Sequence, residues 1–393
     1  GYQLLETPTT SPEIKQLGIN YSAGDFCFPV ISAYGHIRKL LLEKELDFIF
    51  LPHMISYHPN SYTSNSFFCP YVQAFPSVIR SNFRVNQEPE DLLLSAVVDF
   101  RWEENKQVRE LYQKLGEKLG LSRKKIAQAW KKALEEQEEF ESQLEELGRR
   151  ALKEIEEKGE PAIVILGRPY NIYDPGISLD LPQKIAELGF YVLGLDLLGF
   201  HPEKLGEEFS NLYWNYGQRI IYASKLIRSH PLLFPLYFSN FNCGPDSFLI
   251  QYVEELMGDK PMLALEFDEH GADAGYMTRV EAFLDVIKNT GPYTASPQIY
   301  LPRESEQEFK KRKIYVPPMG DFAPRLGVSA FRYFGYQAQV LPLETQESLE
   351  LGRSVSRGSE CLPTSCTIGT LLKTLKEREE DPSKTAFFMA TAC

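Results

Sequence analysis

Gly24-Asp25-Phe26-Cys27-Phe28-Pro29 decides the reading, because the chain writes its pattern twice. Sliding the sequence by 334 lays Tyr2 to Gly35 on Tyr336 to Gly369 without a gap. Eleven of the 34 columns are identical: Tyr2/Tyr336, Gln3/Gln337, Pro8/Pro342, Glu13/Glu347, Leu17/Leu351, Gly18/Gly352, Ser22/Ser356, Gly24/Gly358, Cys27/Cys361, Pro29/Pro363 and Gly35/Gly369. Ordinary residue frequencies would give about two. The pattern reads as a duplicated α/β unit, each copy delivering a cysteine at the mouth of a helix. Coincidence within a shared turn grammar is the competing reading.

Four of the six cysteines have a proline one or two places on: Cys27-Phe-Pro29, Cys69-Pro70, Cys243-Gly-Pro245 and Cys361-Leu-Pro363. Proline suits the first turn of a helix, where its missing N–H is not needed. A cysteine just ahead of it meets free N–H groups and the positive end of the helix dipole, which favour a thiolate. Nothing in the sequence supports the secreted context that disulfides require. Zinc sites usually carry close cysteine or histidine pairs, and the only close pair here is Cys361 and Cys366. Scattered thiolates gathered by folding fit an iron–sulfur cluster better.

At 393 residues the chain is too long for one core. Its 43% hydrophobic and 24% charged residues are those of a soluble globular protein. A net charge of -12 argues against nucleic acid or an anionic membrane as partner, and no apolar run is long enough to span a bilayer. With no signal-peptide pattern, the expected location is cytoplasmic. The chain opens on Gly1, which aligns with Gly335, and closes on Cys393 directly after a strand-like run. It therefore reads as a piece of something longer.

The expected class is α/β: several Rossmann-like doubly wound units with an internal duplication and an inserted helical hairpin. Residues 1–99 read as a first, N-terminally truncated unit, with a helix from Pro29 and a strand over Leu46 to Leu51. A loop follows, up to Cys69, whose His53 and His58 are either ligands and proton donors or bonded to backbone. Residues 100–159 shift to Glu, Lys, Leu and Ala and read as the hairpin, with Ser122 capping its second helix. Residues 160–305 alternate strands (Ala162 to Leu166, Tyr191 to Leu195, Leu233 to Phe238, Met262 to Phe267) with helices. Two of the strand-end loops there concentrate polar chemistry: Asn242-Cys243 and Asp268-Glu269-His270. Residues 306–393 read as the repeat of the first unit, C-terminally truncated, with a strand over Phe387 to Ala390. No phosphate loop, dinucleotide fingerprint or nucleophile elbow is present, so nucleotide hydrolysis belongs to another domain or protein.

Cys27-x-Pro with Gly35-His36, Phe50-Leu-Pro52, Cys69-Pro-Tyr71, Gly167-Arg-Pro-Tyr170, Asn242-Cys-Gly-Pro-Asp246, Asp268-Glu-His270 and Glu360-Cys-Leu-Pro363, in that order, resemble a known group. They resemble the activase-related relatives of 2-hydroxyacyl-CoA dehydratases, a group that includes double-cubane cluster proteins and the matching domain of CoA-substrate-specific enzyme activase fusions. The resemblance implies a cysteine-held cluster: two [4Fe-4S] cubanes joined by a sulfide, or a single [4Fe-4S] as in the dehydratases. It implies an ATP-dependent iron–sulfur activator or reductase, fused or separate, as electron donor, so that ATP acts only through that partner. In the family a Gly-Pro-Cys follows the cysteine matching Cys393, and this chain stops before it. Cys366 lies where relatives often have another residue, and reads as a spare core thiol unless it substitutes for that ligand.

The function expected is an iron–sulfur oxidoreductase component. It accepts low-potential electrons and reduces a small-molecule substrate. The metal ligands are Cys27, Cys69, Cys243, Cys361 and Cys393. Tyr71, Asn242 and Glu360 tune the cluster, and Glu269 or His270 relays protons. The alternatives are a dehydratase-like lyase with one cubane and a non-catalytic domain of an activase fusion. The hairpin offers a surface for a partner or a homodimer.

Overall fold

The computed structural model describes every residue except 1, 43–45, 59, 272, 294–305, 357–359 and 390–393. The fold is mixed α/β, with small parallel sheets among many helices. It divides into two compact units, residues 1–296 and 297–393.

The first unit is built on a four-stranded parallel sheet, in the order Tyr191–Gly194, Ala162–Leu166, Leu233–Asn240, Leu263–Phe267. All five residues of Ala162–Leu166 and all eight of Leu233–Asn240 are buried. That is why these two strands are legible as unbroken apolar runs: a central parallel strand is covered on both faces. The core around them includes Ile163, Ile165, Phe234, Leu236, Ile220, Val253 and Phe267.

Residues 100–159 are helical, as their composition predicts. Helix Glu104–Leu111 runs into a π-helical turn, Tyr112–Gly116. Helix Arg123–Lys158 then extends for 36 residues. Ser122 is its N-cap, accepting from the Lys125 N–H, and Gly159 at φ 68° ends it in the left-handed region where glycine carries no steric cost. Val108, Leu111 and Ile126 pack with Ala96 and Val98 in a small core of their own.

Two expectations for residues 46–69 need correction. The run Leu46 to Leu51 pairs only at Ile49–Phe50, against Leu93–Leu94. His53–Ser56, expected as loop, is a strand paired in parallel with Val97–Asp99. Pro52 lies between the two pairings and has no N–H to give. The ladder nonetheless passes it, through Leu51 N to Leu94 O and His53 N to Ala96 O, both 2.9 Å. The proline interrupts one ribbon; it does not end it.

The second unit holds a three-stranded parallel sheet, in the order Gln337–Val340, Lys313–Val316, Thr385–Phe387. Its last strand begins two residues before the expected Phe387, and Ala390 and Cys393 lie outside the described residues.

The aligned glycines take the same place in both units. Helices Pro12–Tyr21 and Phe28–Leu42 approach so closely that a Cβ on Gly18 would lie 2.1 Å from the Ile31 carbonyl oxygen, and one on Gly35 2.0 Å from that of Ile14. Helices Gln346–Val355 and Leu362–Glu377 repeat this: Gly352 against Ser365 at 1.8 Å and Gly369 against Ser348 at 1.7 Å. Each clashing partner is the other's equivalent at the same offset of 334.

Candidate metal centre

In an open parallel sheet, ligands bind outside the carboxyl ends of the strands, where the strand order reverses. Here that point lies between Ala162–Leu166 and Leu233–Asn240. The loops leaving those ends are Gly167-Arg168-Pro169-Tyr170 and Phe241-Asn242-Cys243.

Arg168 is buried at 4% exposure, and its Nη1 lies 2.5 Å from Oδ1 of Asp246, which is fully buried. The Ser239 hydroxyl donates to the other carboxylate oxygen at 2.9 Å. Arg168 Nη1 also lies 3.4 Å from the Cys243 sulfur. Burial works against the guanidinium charge; Asp246, then Cys243, hold it.

Cys27, Cys69 and Cys243 are N-terminal neighbours of helices Phe28–Leu42, Pro70–Val85 and Gly244–Met257. Each turns its carbonyl into the first helical turn, accepting from Ile31, Gln73 and Ser247 respectively. The thiols share one electrostatic neighbourhood. Burial raises the Tyr170 pKa far above the phenol range, Arg168 opposes, and Cys243, Cys69 and Cys27 add to the rise. Tyr71 is raised by burial and then by the same three. Tyr170 and Cys243 keep some solvent contact although protein surrounds most of each, as befits the floor of a crevice.

The helix-start positions are as the sequence predicts, and at Cys27 and Cys243 burial outweighs the pull of the helix start towards a thiolate. Burial pushes the Cys27 thiol up to about 11, outweighing the Val30 N–H that lowers it. Burial also drives Cys243 well up, with Arg168 as the main opposing charge.

The other candidates are placed as follows. Tyr71 meets Phe26 edge to face at 5.3 Å. Asn242 is exposed at φ 64°, a backbone shape asparagine tolerates better than most residues, and it turns the chain into Cys243. Half-buried Glu269 and exposed His270 lie 3.6 Å apart, and neither lines the cavity that Cys27 and Cys69 border. His53 Nδ1 is bonded to the Gln73 carbonyl at 2.9 Å, and His58 packs on Phe100 at 4.7 Å. In the second unit, Cys361 is the N-cap of Leu362–Glu377, exposed, with its sulfur 3.1 Å from the Thr364 hydroxyl. Glu360 precedes it, Cys366 is half-buried on the same helix, and Cys393 lies outside the described residues.

Arg168, Tyr170 and Asp246 were quoted as motif residues without a role. The available signal was their position, directly after strand ends.

A family profile described as "CoA enzyme activase uncharacterised domain (DUF2229)" matches residues 1–198, half of the chain. The chain belongs to this family. The matched span includes Cys27, Cys69, Arg168 and Tyr170. No curated protein and no solved structure matches the chain.

The CoA enzyme activase domain family does not itself fix a cofactor, so the fit rests on the residues. Among the described residues, no three His, Cys, Asp or Glu side chains converge as ligands of a single ion. A cubane attaches each thiolate to a different iron, so its ligands need not meet at one point. Three thiols from three helix starts beside one buried guanidinium are a soft, sulfur-only donor set, of the kind iron–sulfur clusters take. The residues fit the group. No described helix is long and apolar enough to cross a membrane.

Proposed function

We propose that the protein is the iron–sulfur redox component of a CoA enzyme activase-type system, with Cys27, Cys69 and Cys243 as ligands of a [4Fe-4S] cubane. What supports the reading is that Cys27, Cys69 and Tyr170 line one cavity and that Arg168, two residues before Tyr170, lies 3.4 Å from the Cys243 sulfur near the switch point of the sheet. A bound cluster supplies one-electron chemistry at low potential. Arg168 then sets local charge beside Cys243, and Tyr71 and Asn242 shape the surroundings of the thiolates. Cys361 and Cys393 of the second unit are further candidate ligands on the sequence motifs alone. The matching glycine crossings support a duplicated helix pair, Pro12–Tyr21 with Phe28–Leu42 and Gln346–Val355 with Leu362–Glu377, which suits a double-cubane form.

The electron donor in this reading is an ATP-dependent iron–sulfur reductase, fused or separate, the acceptor is a small molecule, and the compartment is cytoplasmic. Anaerobic purification followed by iron and sulfide analysis tests it. One cubane gives about four irons per chain and a double cubane about eight. Replacing Cys27, Cys69 or Cys243 by serine should each lower the iron content. A folded, colourless protein without iron or labile sulfide, handled throughout without oxygen, overturns the reading.

A further inference from the structure

A cavity of about 390 Å³ opens beside Cys27 and Cys69. Most of its wall is apolar, from Val30, Leu51, Met54, Val72, Phe75 and Ile177. One polar part is formed by Thr10, His36 and Asp174; the Ser32 hydroxyl, the Cys27 and Cys69 thiols and the Tyr71 and Tyr170 rings complete the wall. The hydrogen bonds there have a single direction. The Thr10 hydroxyl donates to Asp174 Oδ2 at 2.7 Å. With that hydrogen spent, the 3.0 Å contact between Thr10 Oγ1 and His36 Nε2 requires the imidazole to donate. His36 Nδ1 then carries a lone pair, and the Thr7 hydroxyl donates to it at 2.8 Å. Burial lowers the His36 pKa, which agrees with the neutral ring this pattern needs.

Asp174 therefore ends a chain of donors that all point towards it. Oδ2 also accepts the Thr10 N–H at 3.3 Å and Oδ1 accepts the Gly176 N–H at 2.9 Å, three bonds in all. A carboxylate has about four lone-pair sites, so it still has acceptor capacity and no hydrogen to give. Lys15 lies within electrostatic reach of this carboxylate and offsets its charge.

We propose that this cavity binds a small uncharged ligand, apolar over most of its surface, with one N–H or O–H that donates to Asp174. A cavity of roughly 150 Å³ with apolar walls is enough for benzene, so a fused bicyclic ring fits this one. The cavity shares Cys27, Cys69, Tyr71 and Tyr170 with the proposed cluster site, so the titration uses anaerobically handled protein of known iron content: iron content then decides one question and ligand affinity the other.

The test titrates the full chain with indole, with benzofuran (the same shape without the donor) and with tryptamine (an ammonium), using calorimetry or ligand-observed NMR. Indole should bind at least about tenfold tighter than benzofuran, because a site built to receive a hydrogen bond rejects the analogue lacking it. Asp174→Asn should cut that preference about threefold or more and leave benzofuran affinity unchanged. Met54→Trp, which fills the cavity, should abolish binding of both, with circular dichroism confirming the fold. Equal affinity for indole and benzofuran, tighter binding of tryptamine than of indole, no binding at all, or binding indifferent to Met54→Trp would each overturn the proposal.

Discussion

Replacing Arg168 by methionine removes the cation and keeps much of the side-chain bulk. It leaves the Asp246 carboxylate fully buried, with the Ser239 hydroxyl still donating to it but no cation beside it. Breaking a buried pair from one side costs about 3–5 kcal/mol, because the remaining charge is uncompensated. Removing both partners is a different perturbation. Arg168→Met with Asp246→Leu should return to within about 2 kcal/mol of the parent, since a buried pair offsets little more than its own desolvation. At about 2–4 °C per kcal/mol for a large domain, the single change lowers Tm by roughly 6–20 °C. All three tryptophans, Trp102, Trp130 and Trp214, lie in residues 1–296, so their fluorescence follows this unit without interference from the second. Alkylation of Cys243 in metal-free protein gives a second readout. Arg168 is the main charge lowering that thiol, so Arg168→Met should slow its reaction at a fixed pH. A loss below about 1 kcal/mol, or a double variant as unstable as the single, would refute the claim that this ion pair holds the floor of the crevice.

Gly35→Ala should destabilise the first unit by at least about 2 kcal/mol, because its Cβ meets backbone that cannot yield without separating two helices. Gly369→Ala should do the same to the second unit, whereas Gly24→Ala, with only the Phe26 ring edge at 3.8 Å, should be nearly silent; chemical denaturation followed by circular dichroism compares them. Asp99 supplies an acid limb. Burial alone would raise its pKa, but hydrogen bonds from Arg101 and Ser56 outweigh this and hold it below the usual carboxylate range. Its contribution to stability is therefore complete above about pH 4, the unfolded value, and is lost as pH falls through the folded one. Urea midpoints at pH 7 and pH 3 should differ less for Asp99→Asn than for the parent, and an equal difference would contradict this.

Much of the scaffold was legible because it rests on local rules. Ala162–Leu166 reads as a buried strand because no polar residue interrupts it, and Ser122 and the cysteine–proline pairs read as helix starts because capping is a short-range need. The His53–Ser56 strand was not legible, since Pro52 looks like a terminator until the partner strand shows that its missing N–H is skipped. Arg168 was not legible as a site residue for another reason. A lone arginine in a sequence is expected at the surface, and its partner Asp246 is 78 residues away. The chain Thr7–His36–Thr10–Asp174 is hidden in the same way, with Thr10 and Asp174 separated by 164 residues.

The cysteines show where local rules stop being sufficient. A helix N-terminus favours a thiolate by about 0.3–1 kcal/mol. Burial pushes the Cys27 thiol up to about 11 even with the Val30 N–H lowering it, a net rise on the order of 3 kcal/mol against the thiolate. The larger effect wins, so the capping position that looked like the source of a reactive thiolate holds a neutral thiol in the metal-free chain. Arg168 brings one positive charge to Cys243, and burial still prevails there. Deprotonating Cys27 and Cys243 together therefore needs a further cation beside them. Helix starts aim the sulfurs, and at Cys27 and Cys243 burial opposes the charge that a metal-bound thiolate would carry.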